Sequence, residues 1–513
     1  MGRFLKLGYT PVFKREFTGL ASTQQVSDDL VENEKKQVSA PRVDFAGYAV
    51  KPKARTLDRW LDVVVRVSGS EYAFFSILVT LLVWAFLGIR FGNSLTWQAI
   101  ISDAQAIFSY MFDSLLMRQQ LNGYEEHQAV AAEMRSRIGS HTRLLKELTA
   151  GLEEDERARL VISAENQSQV DFDVELPPEK FFGRAATAFS RILGHIITVT
   201  LYWICIFIWL GFGSYCGWSA KWELYINSAT SALMVFVFAF LANIRERHST
   251  YLNTCLDAIF RVDAALEFKL RLLTGDQLGN DCVIIQPPKV NVVQRVIFYY
   301  ADIVGTLVGI AILFAVIIVW VAIGPVLEFS SGWWLLIGTY AGLVGLLDGF
   351  VLRNVQAKLK TYEDPEFAKI DTDDVALFGV VGMPMPEKAS TQDKSLSYKA
   401  SMAVGRVCAH ELMVVLCVFI IIGLLTGSSV MKWNTMGQLI SNVPPSIIET
   451  FFMIILITAH NYADATTRVD LKNIYERRLK LISFVNIVAA YHVNSVPAKQ
   501  VSCEEVNMDG QSA

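Results

Sequence analysis

The chain is poor in charge and in cysteine chemistry. Of its 513 residues, 19% are Asp, Glu, Lys or Arg, where a soluble domain carries about 25%. Seven cysteines (Cys205, Cys216, Cys255, Cys282, Cys408, Cys417 and Cys503) form no C-x2-C pair and are odd in number. That spacing excludes a zinc knuckle and points to no disulfide framework. No G-x4-G-K-[ST] loop is present, so there is no ATP motor of that type. The histidines never fall as H-x3-H or H-E-x2-H, which argues against a di-iron oxygenase or a zinc protease. G-x-S-x-G and R-E-x2-E are also missing, the latter being the motif of oxidase-coupled iron permeases. The N-terminal MGRFLKLGYTPVF lacks the apolar core of a signal peptide. A net charge of −4 and a pI near 6.0 exclude a polyanion binder, so no nucleic-acid partner is expected.

Apolar length is what the chain has. Hydrophobic residues make up 52%, and mean hydropathy is +0.35. Eight segments, near 72–91, 97–117, 191–211, 222–242, 296–323, 334–352, 406–425 and 439–459, are long and apolar enough to cross a bilayer. Helix satisfies the backbone of such runs within lipid, so the expected class is an all-α polytopic membrane protein. The segments form four close pairs joined by short turns. Basic residues follow each pair: Arg118; Arg245 and Arg247; Arg353, Lys358 and Lys360; then Arg468, Lys472, Arg477, Arg478 and Lys480. The positive-inside bias puts the short turns outside and both termini in the cytosol.

Self-comparison points to a repeat. W-x3-G-x8-W occurs as Trp84, Gly88, Trp97; as Trp209, Gly213, Trp222; and as Trp320, Gly324, Trp333, while the fourth pair keeps only Trp433. Asp113-x4-Arg118 is echoed by Asp348-x4-Arg353. The expected organisation is four parallel hairpin repeats, 61–117, 185–243, 291–354 and 401–460. Between and around them lie a polar, poorly ordered tail (1–60), a linker with an acidic run (118–184), an amphipathic helix and linker (244–290), a looser proline-bearing linker (355–400) and a helical C-terminal part (461–513). Gly305, Gly309, Gly342 and Gly345 suit close helix packing within one chain or in a homo-oligomer.

Ionisable groups inside the spans are costly and therefore candidate function. Asp103, Ala106, Tyr110, Asp113 and Met117 share one helix face, with Asp103 about 9 Å inside Trp97 by helix rise. Arg191, His195, Thr198, Tyr202 and Cys205 form a second stripe, and Asn442, Ser446, Glu449, Met453 and His460 a third. Asp302, Asp348, His410 and Glu411 sit at or within helix edges. The metal candidates are thus Asp103, Tyr110, Asp113, His195, Asp302, Asp348, His410, Glu411 and Glu449. Oxygen, imidazole and thioether donors together suit Fe2+, Zn2+ or Cu+ as transported cargo, with no resident cofactor. The bland alternative is that Asp113 and Asp348 simply pair with Arg118 and Arg353.

Several stretches carry a family likeness. SDAQAIFSYMFDSLLMRQQLNGYEEH (102–127) and FLANIRERHSTYLNTCLDAIFRVDAALEFKLR (240–271) resemble the fungal low-affinity iron permease family. GPVLEFSSGWWLLIGTY (324–340) and LITAHNYADATTRVDLKNIYERRL (456–479) are similar to its short bacterial relatives. Those relatives place Gln-Asn before the cytosolic helix, where this chain has Ala242-Asn243 and His460-Asn461. The resemblance implies low-affinity uptake of ferrous iron at the plasma membrane, with tolerance for zinc, copper and other divalent ions such as manganese. It carries over no matched ligand set. A cation channel, or a membrane-anchored sensor or scaffold whose intramembrane acids are structural, stands as the alternative.

Overall fold

The computed structural model describes residues 11–25, 45–50, 52–53, 55–166, 176, 178, 181–389 and 396–495. Within them one motif recurs four times: a 13-residue amphipathic helix, a two-residue break, an apolar outer helix, a short turn and an inner helix. The amphipathic and outer helices are α1 (Thr56–Ser68) and α2 (Glu71–Phe91), then α5 (Phe181–Leu193) and α6 (Ile196–Gly211). The third and fourth pairs are α8 (Val292–Val304) and α9 (Leu307–Ile323), then α11 (Leu396–Cys408) and α12 (Glu411–Val430). The inner helices are α3 (Leu95–Ala150), α7 (Ala220–Thr274), α10 (Ser331–Val381) and α14 (Val443–Ser495). Two short helices complete the set, α4 (Glu154–Asn166) and α13 (Thr435–Ile440).

The four inner helices close a ring in the order α3, α7, α14, α10. Each outer helix leans on the inner helix of a neighbouring hairpin: α2 on α7, α6 on α14, α12 on α10 and α9 on α3. The hairpins therefore interlock around one axis. Outer helices face away from the protein; α2 has no buried residue, and Phe75, Val79, Phe86 and Ile89 are exposed along it. Such apolar exposure requires lipid. Among the described residues five helices are long and apolar enough to cross a membrane, or seven if the bent pairs α5–α6 (51°) and α8–α9 (66°) each count as one span. The remaining expected segment opens α3, where Gln98, Ser102, Asp103, Gln105 and Ser109 dilute its apolarity.

The turn motif has a packing cause. Trp84 stacks on Trp97, Trp209 on Trp222 and Trp320 on Trp333, with ring centroids 4.3, 3.9 and 4.3 Å apart. Trp333 Nε1 donates to the Trp320 carbonyl at 2.8 Å, and Trp97 Nε1 to that of Trp84 at 3.2 Å. A Cβ on Gly88 would stand 2.5 Å from the Trp97 ring, so glycine makes room for the stack.

The breaks have a cause too. Ser70, His195, Thr306 and His410 are N-caps, each accepting from a backbone N–H of the outer helix that follows. Asparagines of the inner helices hold the carbonyls exposed there. Asn243 donates to Gly69 O (2.9 Å), Asn354 to Ala409 O (2.8 Å) and Asn461 to Ser190 O (2.9 Å).

Beyond the apolar zone the inner helices continue as a polar extension. Two expected linkers are helical over much of their length instead. α3 runs on to Ala150, α4 opens on the acidic run Glu154-Asp155-Glu156, where the helix dipole favours carboxylates, and α10 passes through Pro365 to Val381. The expected loose tail is also corrected in part. Residues 11–25 pack against the extension, with Val12, Phe13 and Phe17 buried and β1 (Phe17–Gly19) antiparallel to β2 (Val283–Ile285). The apolar side chains of that segment drive the docking.

Candidate functional site

The axis of the inner ring is polar. Toward the tryptophan end, Asn227 donates to Ser102 (2.8 Å), and Gln105 donates to Ser109 (2.7 Å) beside the Met234 sulfur. Asp103 lies at this level, buried, with Oδ2 lacking a hydrogen-bond partner. Deeper stand three carboxyl groups from three helices: Asp113 of α3, Asp348 of α10 and Glu449 of α14. All three are fully buried, and Asp348 and Glu449 are the acids that Asp113 faces. Neither oxygen of Asp113 or of Glu449 has a hydrogen-bond partner; Asp348 accepts from the Tyr300 hydroxyl at 2.7 Å. Tyr110 stacks near Tyr340, 6.3 Å between centroids, just above. The Glu449 carboxylate rests on Gly345, where a Cβ would stand 2.5 Å from it.

The arginines one turn on do not neutralise these acids. Arg118 turns away to Asp62 (2.7 Å) and Asp58 (3.3 Å), and Arg353 donates to Gly405 O (3.1 Å) and Gln356 (3.1 Å). Local ion pairing is thereby replaced by a group of acids without cations, an arrangement that costs several kcal/mol in low dielectric unless something cationic or protonic visits it.

The other candidates stand elsewhere. His195 and His410 are the exposed caps described above, because the second stripe was drawn across the break at Gly194; Arg191 and Cys205 on it are exposed too. Glu411 opens α12 and accepts from Asn291 (2.9 Å) near the surface. Asp302 is buried, but it faces Arg15 and Glu125 on the extension side. Among the described residues no three His, Cys, Asp or Glu side chains converge closely enough to hold an ion as placed. The ring acids are thus not gathered into a cage.

A cavity of about 190 Å³ lies on the extension side of the acids, bounded by all four inner helices. His127, Arg245, His248, Glu363, His460 and Asp464 line it. His127 Nδ1 lies 2.7 Å from Glu363. Burial alone would lower the His127 pKa, but the Glu363 charge and hydrogen bond outweigh it and raise the pKa; the same pairing holds Glu363 below its usual range. Burial, with the guanidiniums of Arg468, Arg247 and Arg191, pushes His248 down to about 3, leaving a neutral imidazole. His248 and His460 stack with centroids 4.8 Å apart. Neither this pairing nor the Tyr300 and Tyr340 contacts was legible in the sequence, since the partners lie far apart along the chain.

Past the cavity the extension is shut. Arg478, fully buried, bridges Asp263 (2.6 Å) and Asp374 (2.7 Å), and Arg271 and Arg137 both hold Glu267.

Comparison with known proteins agrees in family. A model described as low affinity iron permease matches residues 182–278, 293–362 and 398–508. The low-affinity iron/zinc ion transport protein fet4 of Schizosaccharomyces pombe is 37% identical over 432 residues, 83% of this chain and 73% of that protein. The low-affinity Fe(2+) transport protein of Saccharomyces cerevisiae is 35% identical over 460 residues, 83% of each chain. No solved structure matches. An all-α ring of apolar hairpins, with uncompensated acids at its centre and these relatives, makes this chain a member of the low affinity iron permease family.

Proposed function

We propose that the chain is a low-affinity plasma-membrane permease for Fe2+, with Zn2+ as second cargo and Mn2+ and Cu+ admitted by the same donors. The carrying observation is the trio Asp113, Asp348 and Glu449, buried on the ring axis without a cation. The names of the two yeast relatives support the choice of ion. The basic extension lies in the cytosol and the tryptophan turns face outside, by the distribution of Lys and Arg.

Reduced metal enters from the tryptophan end and sheds part of its water to Asp103 and Tyr110. It then passes Asp113, Asp348 and Glu449. Carboxylate and phenol oxygens replace water ligands one or two at a time, and the thioethers of Met234 and Met453 lie alongside, favouring borderline transition metals over Ca2+. Spread ligands bind weakly, which suits low affinity and ready release. The membrane potential draws a divalent cation inward by about 4.6 kcal/mol per 100 mV, so no ATP is required. The ion crosses unchanged, so no enzymatic step is involved.

The test is metal content by mass spectrometry in cells lacking their own iron uptake, with ascorbate present. Wild type raises cell iron; an Asp103→Asn/Asp113→Asn double variant, equally abundant at the surface, does not. Equal accumulation would move the path elsewhere, and no accumulation by wild type would favour the sensor or scaffold reading. The closed ring of four inner helices favours a channel as the second reading. Linear, high-conductance current in place of saturable micromolar uptake would select it.

A further inference from the structure

The four amphipathic helices α1, α5, α8 and α11 take no part in the function described so far. Each has 13 residues, about 20 Å by helix rise, which is too short for a hydrocarbon core about 30 Å thick. The chain bends by 51° between α5 and α6 and by 66° between α8 and α9. Each amphipathic helix is also tied to an inner helix. Asn243 holds Gly69 O, Asn461 holds Ser190 O and Asn354 holds Ala409 O, while Gln294 of α8 donates to Asn354 at 2.6 Å. Asn243 and Asn354 each follow the tryptophan of their inner helix, Trp222 or Trp333, by 21 residues. The four helices therefore stand at one level, where the outer helices begin and the polar extension starts.

Their outward surface combines two chemistries. Apolar side chains are exposed: Trp60 and Val63 on α1, Phe182 and Phe189 on α5, Val292 and Val296 on α8, and Val407 on α11. Cations stand among them. The four helices carry seven Lys and Arg residues, and all seven are exposed. They carry three acids, each turned inward: Asp58 and Asp62 bind Arg118, and Asp302 is buried. Arg59, Arg184, Arg191, Lys399 and Arg406 make no ion pair or hydrogen bond among the described residues. The surface is thus apolar and cationic, with no exposed acid to balance it.

We propose that α1, α5, α8 and α11 form a collar in the cytosolic leaflet that selects anionic phospholipids over zwitterionic ones. The apolar faces continue the exposed surface of the outer helices, which argues for lipid rather than a protein as their occupant. A short helix with apolar and basic faces lies in the plane of the interface. Its long basic stems follow the acyl boundary and set their charges at headgroup depth. Guanidinium groups match the phosphate and carboxylate of such headgroups with paired hydrogen bonds. The side of the bilayer rests on the orientation proposed above, and the cytosolic leaflet is the one that carries anionic lipid.

The test uses full-length protein in phosphatidylcholine membranes with a trace of spin-labelled phosphatidylserine or spin-labelled phosphatidylcholine. Electron paramagnetic resonance separates lipid held at the protein from free lipid, and so gives the ratio of the two association constants. Wild type is expected to favour phosphatidylserine about threefold or more. In the variant Arg59→Gln/Arg184→Gln/Lys399→Gln/Arg406→Gln, all four positions being exposed, the ratio should fall to about half of that or less. A second variant removes as many exposed cations from the extension, Lys146→Gln/Arg159→Gln/Lys472→Gln/Lys480→Gln, and should keep the wild-type ratio. A ratio near one in wild type, an unchanged ratio in the collar variant, or an equal fall in both variants overturns the proposal. The measurement involves no transport, so a protein that selects anionic lipid yet moves no metal would sink the permease reading and leave the collar standing.

Discussion

Glu449 has a glycine for a neighbour, and that makes Gly345 the sharpest probe of the axis. A Cβ there would stand 2.5–2.7 Å from three atoms of the Glu449 carboxyl group, which must then shift. Gly345→Ala should lower Fe2+ uptake at least threefold at equal surface abundance. Gly423→Ala, with nothing within 4 Å of the added carbon, should leave it unchanged. Radiolabelled iron uptake in the two variants checks this. The Asp103–Tyr110–Asp113 face was legible because α3 runs unbroken, and helical spacing keeps those residues on one side. The stripe through His195 misled because spacing was counted across a break. The signal that marks the break was present: Gly69-Ser70 and Gly305-Thr306 occupy the same place in two other hairpins, and Ser and Thr are strong N-caps. His248 and His460 could not be paired from sequence, being 212 positions apart.

At the scale of elements, the long inner helices divide into a lipid-level half and an extension that buries an apolar core together with ion pairs. Removing one partner from a buried ion pair leaves its counter-charge stranded, at about 3–5 kcal/mol. Arg478→Met should therefore destabilise the extension by that order, seen as a lowered thermal midpoint or faster amide exchange in 255–272 and 370–381. The His127–Glu363 pair gives a pH signature. The His127 pKa is raised above 6.5, so its contribution is complete below that value and is lost as pH rises through the folded-state pKa. The Glu363 pKa is lowered below 4.5, so its contribution is present above that value and is lost as pH falls through the folded-state pKa. His127→Ala should cost about 1 kcal/mol, most between pH 4.5 and 6.5, and the difference should shrink above neutrality. Melting curves of wild type and variant across pH 4–9 test the sign. Helix existence and the apolar halves were legible from hydropathy. The helical continuation through 118–150 and 355–381 was not read, although Leu121, Met134, Ile138, Leu145 and Leu148 and then Val355, Leu359, Ile370 and Leu377 are buried along it, because the charged residues between them pull the mean hydropathy down.

For the whole molecule, the ring order α3, α7, α14, α10 is the feature that gathers four hairpins around one axis. Repetition of W-x3-G-x8-W announced the hairpins, but not that each outer helix would lean on a neighbour's inner helix. That interlocking depends on long-range pairs such as Asn461 with Ser190 and Asn243 with Gly69. It brings acids from three hairpins to one axis, so the account stands or falls on their joint role. The most direct measurement is Fe2+ entry into proteoliposomes under an imposed negative-inside potential, comparing wild type with the Asp113→Asn/Asp348→Asn/Glu449→Gln variant at equal incorporation. The account predicts saturable entry by wild type and a rate at least tenfold lower in the variant. Equal rates would contradict it, showing that the three acids are structural and that the ion travels elsewhere.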